Sequence, residues 1–385
     1  GNEKVALRAA LGRILAGPIE SPVDVPQGTN SAMDGYAIAS SDLPGEGEQH
    51  NLRLVGTAWA GRPFETTLNA GECVRIFTGA VMPAGADTVV MQERVSSDGD
   101  TITIDSSTRS GDNVRAAGED IRQGTEVLAA GTRLQPAELG LLASLGLAEI
   151  SVRRRLRVAF FSTGDELRSI GETLGPGMIY DSNRYTIQGM LARLGCDIID
   201  MGVVRDTPEA TEAAFREAAD CADVLITSGG VSVGEADYVK NSLEKLGQVG
   251  FWKVAMKPGR PLAFGHIQDA TFFGLPGNPV SVMVTFYQFV QPALRHMMGE
   301  NVTEPVTVRA VCQSRLRKKA GRFEFQRGVL SYDDNGQLTV SRTGAQGSGI
   351  LTSMSQANCF ILLPVEATTI QPGDTVEVQP FHGLI

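Results

Sequence analysis

Residues 156–166 read LRVAFFSTGDE, an apolar run that ends in a short polar loop. A run of four to eight apolar residues bounded by Gly is typical of a strand buried on both faces. The pattern then repeats, and further strands are predicted at residues 196–204, 223–227, 251–256 and 271–275. Helices are predicted at residues 183–194, 207–219, 238–246 and 280–298. This alternation predicts a doubly wound, mostly parallel α/β domain over residues 153–299.

The flanking segments differ in composition from this central part. Residues 26–115 are rich in Gly, Pro, Thr and Val, with short alternating runs, which indicates an inserted β-rich domain. Residues 1–25 and 116–152 are expected to form one discontinuous domain around it. Each of these two segments carries one predicted helix, at residues 5–15 and 136–145. Residues 300–385 carry short predicted strands, so the fold class is multi-domain α/β plus β with a small C-terminal barrel-like β domain.

Composition and charge exclude several classes of function. The chain has 385 residues and a net charge of −10, so it repels polyanions, and neither nucleic acid nor a membrane is expected as its partner. Its most apolar stretch, residues 280–290, is too short to span a bilayer, and no signal peptide is visible. Five scattered cysteines, an odd number without a C-x-x-C pair, argue against disulfides and predict a reducing, cytoplasmic location.

Ligands of a doubly wound sheet bind outside the carboxyl ends of its strands, so the loops that follow the strands are informative. Ser228, Gly229 and Gly230 follow one predicted strand, and Ser232 comes shortly after. Consecutive backbone N–H groups in such a loop suit a phosphate group. A plain tight turn is the alternative interpretation.

Carboxylates also follow these strands. They are Asp165, Glu166, Asp206 and Asp237. Such oxygen ligands could converge on Mg²⁺, which proteins hold with one or two carboxylates, water and substrate phosphate. Helix capping is the competing explanation, most clearly for Asp206, which precedes a Thr-Pro helix start.

Two cations lie on a stiff loop in this otherwise acidic chain, in the segment KPGRP at residues 257–261. Lys257 and Arg260, joined by Lys253, would suit a tetrahedral oxyanion. A solvated basic loop is the alternative, although two prolines restrict this backbone. Arg327 and Ser348 lie in Gly-flanked loops farther along the chain. The four histidines show neither metal-ligand spacing nor a triad pattern, so zinc hydrolase and Ser-His-Asp chemistry lack support.

Seven motifs spread in order along nearly the whole chain resemble the MoeA-type molybdopterin molybdenumtransferases. The family includes gephyrin and the E domains of plant molybdenum-insertion proteins. The motifs are NSAMDGYA (30–37), TGA (78–80), GED (118–120), STGDEL (162–167), SGGVSVG (228–234), KPGRP (257–261) and LPGNP (275–279).

The resemblance implies a homodimer whose active-site cleft combines the α/β and C-terminal domains of one protomer with the inserted β domain of the other. The implied reaction inserts molybdate into adenylylated molybdopterin and releases AMP in a Mg²⁺-dependent step, in concert with molybdopterin adenylyltransferase and other proteins of the pathway. Two other functions stay open: molybdopterin adenylylation, since the α/β domains are alike, and a non-catalytic pterin-binding scaffold.

The resemblance also carries over to individual positions. Functional acidic and hydroxyl positions match Asp34, Thr78, Asp120, Glu166, Asp206 and Asp237, of which Glu166, Asp206 and Asp237 would hold Mg²⁺. The substrate and molybdate positions expected here are Ser228, Gly229, Gly230, Ser232, Lys253, Lys257, Arg260, Pro276, Pro279, Arg327 and Ser348. One departure is Arg260, where many relatives have Lys. A planar guanidinium then replaces a compact ammonium group, so the geometry of oxyanion binding could differ.

Overall fold

The computed structural model describes residues 1–229 and 246–381, which fall into two compact units. The larger unit holds Gly1–Glu3, Gly12–Ala16 and the chain from Val152 onward. The smaller unit holds Lys4–Leu11 and Gly17–Ser151. The boundaries of the four predicted domains stay predictions.

A six-stranded sheet forms the centre of the larger unit. Its strands are β1 (Arg157–Thr163), β2 (Asp197–Val204), β3 (Val224–Ser228), β4 (Gly247–Lys253), β5 (Pro261–Ile267) and β6 (Ala270–Leu275). Their spatial order is β2-β1-β3-β6-β5-β4; the first four are parallel, and β5 runs antiparallel to both of its neighbours, β6 and β4. This mostly parallel sheet confirms the predicted fold class of the segment.

Both faces of the sheet are buried, as the continuous apolar run of β1 predicts. Val158 and Phe160 pack into a hydrophobic cluster on one face, while Ala159 and Phe161 pack into a second cluster on the other. All four side chains have no solvent exposure. The carboxyl ends of β1, β3 and β6 therefore lie together at one edge, where the polar loops begin.

Helices α1 (Ser182–Leu194) and α2 (Pro208–Cys221) cover the sheet and confirm two of the predicted helices. The Asp181 side chain caps α1 by accepting a hydrogen bond from the backbone N–H of Arg184 at 3.1 Å, and α1 ends at Gly195 with φ 79°. A left-handed residue at that position favours glycine. The predicted helix over 238–246 falls largely on residues 238–245, which lie outside the described part.

The prediction of a strand over 251–256 is wrong in its second half. β4 ends at Lys253, because the next N–H group, that of Val254, donates to the Arg260 carbonyl at 2.8 Å and turns the chain. β5, which the sequence reading missed, then runs back antiparallel to β4.

The predicted helix over 280–298 is one helical segment with a defect in its middle. It consists of an α-helix at Pro279–Thr285, a π-helical turn at Phe286–Val290 and an α-helix at Gln291–Met297. Pro292 has no backbone N–H and its ring crowds the preceding turn, which accounts for the wider turn just before it.

A small closed barrel of five strands follows, as predicted. The strands are Val308–Cys312, Phe323–Tyr332, Leu338–Arg342, Cys359–Leu363 and Thr375–Pro380. The barrel closes because Phe323–Tyr332 pairs with both the third and the fourth of these strands. A short strand at Met256–Lys257 adds parallel to the start of Phe323–Tyr332, and a one-turn helix spans Thr352–Ser355.

The smaller unit is built mainly from strands, as predicted for residues 26–115. Its six-stranded sheet holds Gly35–Ile38, Gln49–Ala58, Glu72–Ile76, Thr88–Met91, Val95–Asp98 and Thr101–Asp105. Two-stranded ribbons pair Ile19–Glu20 with Glu126–Leu128 and Asn30–Ser31 with Val114–Arg115. Its α-helix, Pro136–Ser144, carries Pro in its first turn and a capping box between Gln135 and Glu138, which confirms the helix predicted there.

The predicted helix over residues 5–15 is wrong. The chain instead forms a strand at Asn2–Ala6, which pairs with Glu149–Arg153, and one 3-10 turn at Leu7–Ala9. The backbone N–H of Leu7 donates to the Ala148 carbonyl at 2.9 Å. Tertiary pairing thus overrides the helix preference of this Ala- and Leu-rich segment. In the part of the chain that the structure describes, no helix is long and apolar enough to cross a membrane.

Candidate functional site

The carboxyl edge of the sheet forms a cradle in which three backbones approach closely. Gly229, just after β3, has φ +93°, and a methyl group on it would lie 2.6 Å from the carbonyl oxygen of Thr163 at the end of β1. A methyl group on Gly277, after β6, would lie 3.9 Å from the Gly229 Cα. Only glycine fits at position 229, and its backbone N–H donates to the Leu275 carbonyl at 3.2 Å, which ties the ends of β3 and β6 together.

Asn183, in the first turn of α1, ties these loops together. Its Nδ2 donates to the Ser228 hydroxyl at 2.8 Å and to the Gly277 carbonyl at 2.7 Å. Its Oδ1 and the hydroxyl oxygens of Ser162 and Thr163 are buried and accept no hydrogen bond from the described residues. Unpaired buried polar atoms at a strand edge favour a polar ligand such as a phosphate or a pterin. The sequence reading missed Asn183, although its place at the helix start after β1 was a usable signal.

Two of the predicted acidic residues follow strands that end at this edge. Glu166 and Asp206 follow the adjacent parallel strands β1 and β2, whose ends are in register at Thr163 and Val204. Two carboxylates with exposed or half-exposed oxygens are the donor set that Mg²⁺ takes together with water and phosphate oxygens, so these side chains fit the ion. Residues 1–229 and 246–381 contain no cluster of three or more His, Cys, Asp or Glu that could hold a metal by itself. Gly230, Ser232 and Asp237 lie outside the described residues.

A cationic cavity lies between the sheet loops and the barrel of the larger unit. It measures about 150 Å³, and four of its lining residues are cations and one is an acid. These five are Lys257, Arg317, Arg327, Arg342 and Glu324. Because the cations come from separate segments, only the fold brings them together. Arg317, Arg342 and Glu324 were missed at the sequence level, where nothing distinguishes them from other charged residues.

Arg327 is the most unusual side chain of this cavity. It is 1% exposed, and its guanidinium donates to the Ser353 hydroxyl at 3.0 Å and to the Gly347 and Phe325 carbonyls at 3.1 and 3.4 Å. These partners are neutral, and burial lowers the pKa of Arg327 to about 10. A buried cation without a carboxylate partner is costly, so this site favours an anion.

Lys257 and Glu324 face each other in the same cavity. The Lys257 ammonium lies 3.4 Å from the Glu324 carboxylate, which also accepts from the Gln326 amide at 3.2 Å. Glu324 is 4% exposed, whereas Lys257 is about half exposed. The cavity thus combines an ammonium that can turn toward a ligand with a fixed negative charge.

Backbone contacts connect the cavity to the cradle. The carbonyl of Gly347 accepts from Arg327, and the next residue, Ser348, accepts from the Val280 N–H at 3.0 Å through its carbonyl. Val280 directly follows Pro279 and the PGN turn that begins at Pro276. Lys253, the last residue of β4, and Arg260, directly before β5, are both exposed. Of the predicted substrate positions, Arg327, Ser348 and Pro279 are therefore neighbours.

In the smaller unit, Asp34 and Thr78 form a hydrogen-bonded pair. The backbone N–H and the hydroxyl of Thr78 both donate to Asp34 Oδ1, at 2.7 and 2.8 Å. These two bonds, with a smaller contribution from the Arg75 charge, lower the pKa of Asp34 below its usual range. Asp120 is exposed and lines an open cavity of about 490 Å³ together with Arg115.

Family models cover most of the chain in three consecutive segments. Residues 1–146 match the MoeA N-terminal region (domain I and II), residues 159–296 match a probable molybdopterin binding domain, and residues 309–381 match the MoeA C-terminal region (domain IV).

Individual proteins match over almost their whole length. The chain is 46% identical to a molybdopterin molybdenumtransferase of Haemophilus influenzae, over 100% of this chain and 95% of that protein. It is 39% identical to a molybdopterin molybdenumtransferase of a Nostoc species, over 98% and 88%. The crystal structure of a molybdopterin biosynthesis moeA protein from Pyrococcus horikoshii superimposes with a TM-score of 0.85 at 30% identity, over 99% of this chain and 94% of that one.

Proposed function

This chain belongs to the MoeA-type molybdopterin molybdenumtransferases, and we propose that it inserts the metal of molybdate into adenylylated molybdopterin with Mg²⁺-dependent release of AMP. It is a transferase of molybdenum cofactor biosynthesis.

The observation that carries the proposal is the buried guanidinium of Arg327. It lies beside Lys257 in a cavity of about 150 Å³, which is a suitable size for a tetrahedral oxyanion. Hydrogen bonds to neutral oxygens fix the position of the guanidinium, and so of its remaining N–H groups, before the anion arrives. Donors fixed in advance bind an anion without the cost of rearrangement, and molybdate is the anion that the family's reaction needs.

The cradle at the sheet edge supplies the second half of the site. The hydroxyls of Ser162 and Thr163, unpaired among the described residues, can donate to phosphate oxygens, and the unpaired Asn183 Oδ1 can accept from an N–H of the pterin. Because Ser348 and Val280 connect the cradle to the cavity, a substrate held in the first would present its dithiolene to molybdate in the second. Proximity and orientation then supply most of the rate enhancement.

Glu166, Asp206 and Asp237 would hold Mg²⁺. When bound, the ion would polarise the phosphoanhydride and neutralise charge on the leaving AMP. The protein's own part is to place the carboxylates of Glu166 and Asp206 just after two adjacent strands, at the same edge of the sheet as the cradle.

We also propose that the chain acts as a homodimer in the cytoplasm. We expect Asp34, Thr78 and Asp120 of one protomer to lie at the cleft of the other, as the family resemblance implies. Light scattering on the purified protein would measure the mass of the assembly directly. A stable monomer that releases AMP at full rate would contradict the shared cleft.

The function is tested by incubating the purified protein with adenylylated molybdopterin and Mg²⁺, with and without molybdate. AMP release and activation of an apo-molybdoenzyme are measured together. Molybdate-dependent release with activation is expected. ATP consumption without molybdate would instead indicate an adenylyltransferase, and tight pterin binding with neither outcome would indicate a scaffold.

A further inference from the structure

Four side chains of the smaller unit form a continuous stack that the proposed reaction does not use. The Trp59 and Phe77 rings lie parallel, with centroids 4.1 Å apart and planes inclined by 10°. The Arg75 guanidinium lies over both Phe77, at 5.3 Å, and Tyr36, at 4.9 Å. The order along the stack is therefore Tyr36, Arg75, Phe77 and Trp59.

Trp59 is the last ring of this stack, and its backbone pairs with that of Arg62. Its backbone N–H donates to the Arg62 carbonyl at 3.0 Å, and the Arg62 N–H donates back at 2.9 Å. One face of the indole covers Phe77, yet half of the side chain is exposed. A large aromatic ring fixed with one face in water is prepared to stack a further flat group.

Hydrogen-bonding groups follow Phe77, the ring that Trp59 covers, by one residue in the chain. Phe77 directly precedes Thr78, whose two hydrogen bonds both fall on Asp34 Oδ1. Asp34 Oδ2 accepts no hydrogen bond from the described residues, and Arg75 contributes its charge both to the stack and to Asp34. A flat ligand with N–H groups on its edge would meet both chemistries here.

We propose that Trp59 stacks a planar heteroaromatic ring whose N–H groups face Asp34. The proposal rests on the proposed function, because the adenylylated substrate carries two such rings, the aminopyrimidinone of the pterin and adenine. Both present a flat face and an exocyclic amine, so the experiment has to distinguish them. Stacking of a base on an aromatic side chain changes affinity by about tenfold.

The test uses the fact that the chain has two tryptophans. In a Trp252→Phe variant, emission reports Trp59 alone; in a Trp59→Phe variant, it reports the exposed Trp252 alone. Each variant is titrated with AMP and, separately, with 6-hydroxymethylpterin, with free tryptophan as the correction for absorbed light. We expect saturating quenching of Trp59 by one probe, which identifies the ring, and none of Trp252.

Equal, non-saturating quenching in both variants would overturn the proposal. An emission change that follows protein concentration rather than the probe would also overturn it, because a second copy of the chain would then cover Trp59.

Kinetics give an independent readout. Trp59→Ala should raise the KM for adenylylated molybdopterin about tenfold with kcat within about twofold, whereas Trp59→Phe should stay near wild type. Tyr332→Ala, at a ring that is 74% exposed on the barrel, is the matched control and should change neither value. If Trp59→Ala left the KM unchanged while AMP release still depended on molybdate, the stacking proposal would be wrong but the proposed function would stand. Absence of AMP release from the wild type would remove the proposed function instead.

Discussion

Arg327 shows how a single residue can point to a function. The strand Phe323–Tyr332 buries its guanidinium completely, and its partners in the described structure are one hydroxyl and two carbonyl oxygens. Burying a cation costs several kcal/mol unless an opposite charge joins it. The fold therefore maintains an unfavourable charge whose natural complement is an anion from solution.

Arg327→Met keeps the volume of the side chain and removes its charge. We expect molybdate affinity to fall at least about tenfold, since a desolvated charged contact is lost. Molybdate should raise the melting temperature of the wild type by mass action and leave that of the variant unchanged. Arg309→Ala, at an exposed arginine of the same barrel, is the control for charge loss alone. An equal molybdate-induced shift in Arg327→Met would contradict this role.

Glu324→Gln tests the fixed negative charge of the same cavity. Removing the carboxylate frees Lys257 and ends its repulsion of an incoming anion, so molybdate should bind several-fold more tightly. Sulfate carries the same charge as molybdate, so it should also bind more tightly and become a stronger competitor. Calorimetric titration with both anions measures these changes, with Glu366→Gln on the exposed surface as control. Weaker binding of both anions would show that Glu324 acts by positioning Lys257.

At the scale of elements, the close approach of β1 and β3 depends on Gly229. Gly229→Ala places a methyl group 2.6 Å from the Thr163 carbonyl oxygen, so it should destabilise the protein and abolish AMP release. Gly202→Ala is a matched control. Gly202 has φ +80° with open space around it, so an alanine there would cause backbone strain without a steric clash. We expect Gly229→Ala to cost about 1–3 kcal/mol more in urea unfolding. Equal costs would show that the cradle can widen.

Asp223, directly before β3, forms a pH-dependent ion cluster with Arg154 and Arg157. Asp223 accepts from Arg154 at 2.6 and 2.8 Å and from the Arg157 N–H at 2.9 Å, which lowers its pKa well below its usual range. A lowered native pKa stabilises the fold above the unfolded pKa of about 3.9 and loses that contribution as pH falls through the native pKa.

Asp223→Asn should therefore lower the free energy of unfolding by about 1 kcal/mol at neutral pH. The effect is small because solvent screens the half-exposed arginines. Its unfolding free energy should decline less than that of the wild type between about pH 5 and 3. Thermal unfolding over that range measures both effects, beside Asp334→Asn at an exposed turn. Parallel pH profiles for wild type and Asp223→Asn would contradict the assignment.

The sequence predicts elements well where one local signal dominates. β1 and α1 follow from an apolar run and from a period-3.6 stripe closed by Gly195. The helix prediction for residues 5–15 is wrong because strand pairing at Asn2–Ala6 outweighs local helix propensity. The π-helical turn before Pro292 depends on how the helix absorbs a missing N–H group, which a periodicity argument does not include.

At the scale of the whole molecule, the sequence predicts the strand-end loops but cannot predict which distant side chains face one another. Arg317, Arg342 and Glu324 enter the cavity because barrel closure brings three segments together. Asn183 joins the cradle through the crossover from β1 to α1. Asp34, Thr78 and Asp120 were found by family resemblance alone, since their local sequence reads as turns.

We propose that the cavity around Arg327 and Lys257 holds molybdate for insertion. The most direct test is diffraction from molybdate-soaked crystals, measured on both sides of the molybdenum absorption edge. We predict one strong anomalous peak in that cavity, within hydrogen-bonding reach of both cations, and its loss in crystals of Arg327→Met. A peak elsewhere with the cavity empty, or an unchanged peak in the variant, would contradict the account.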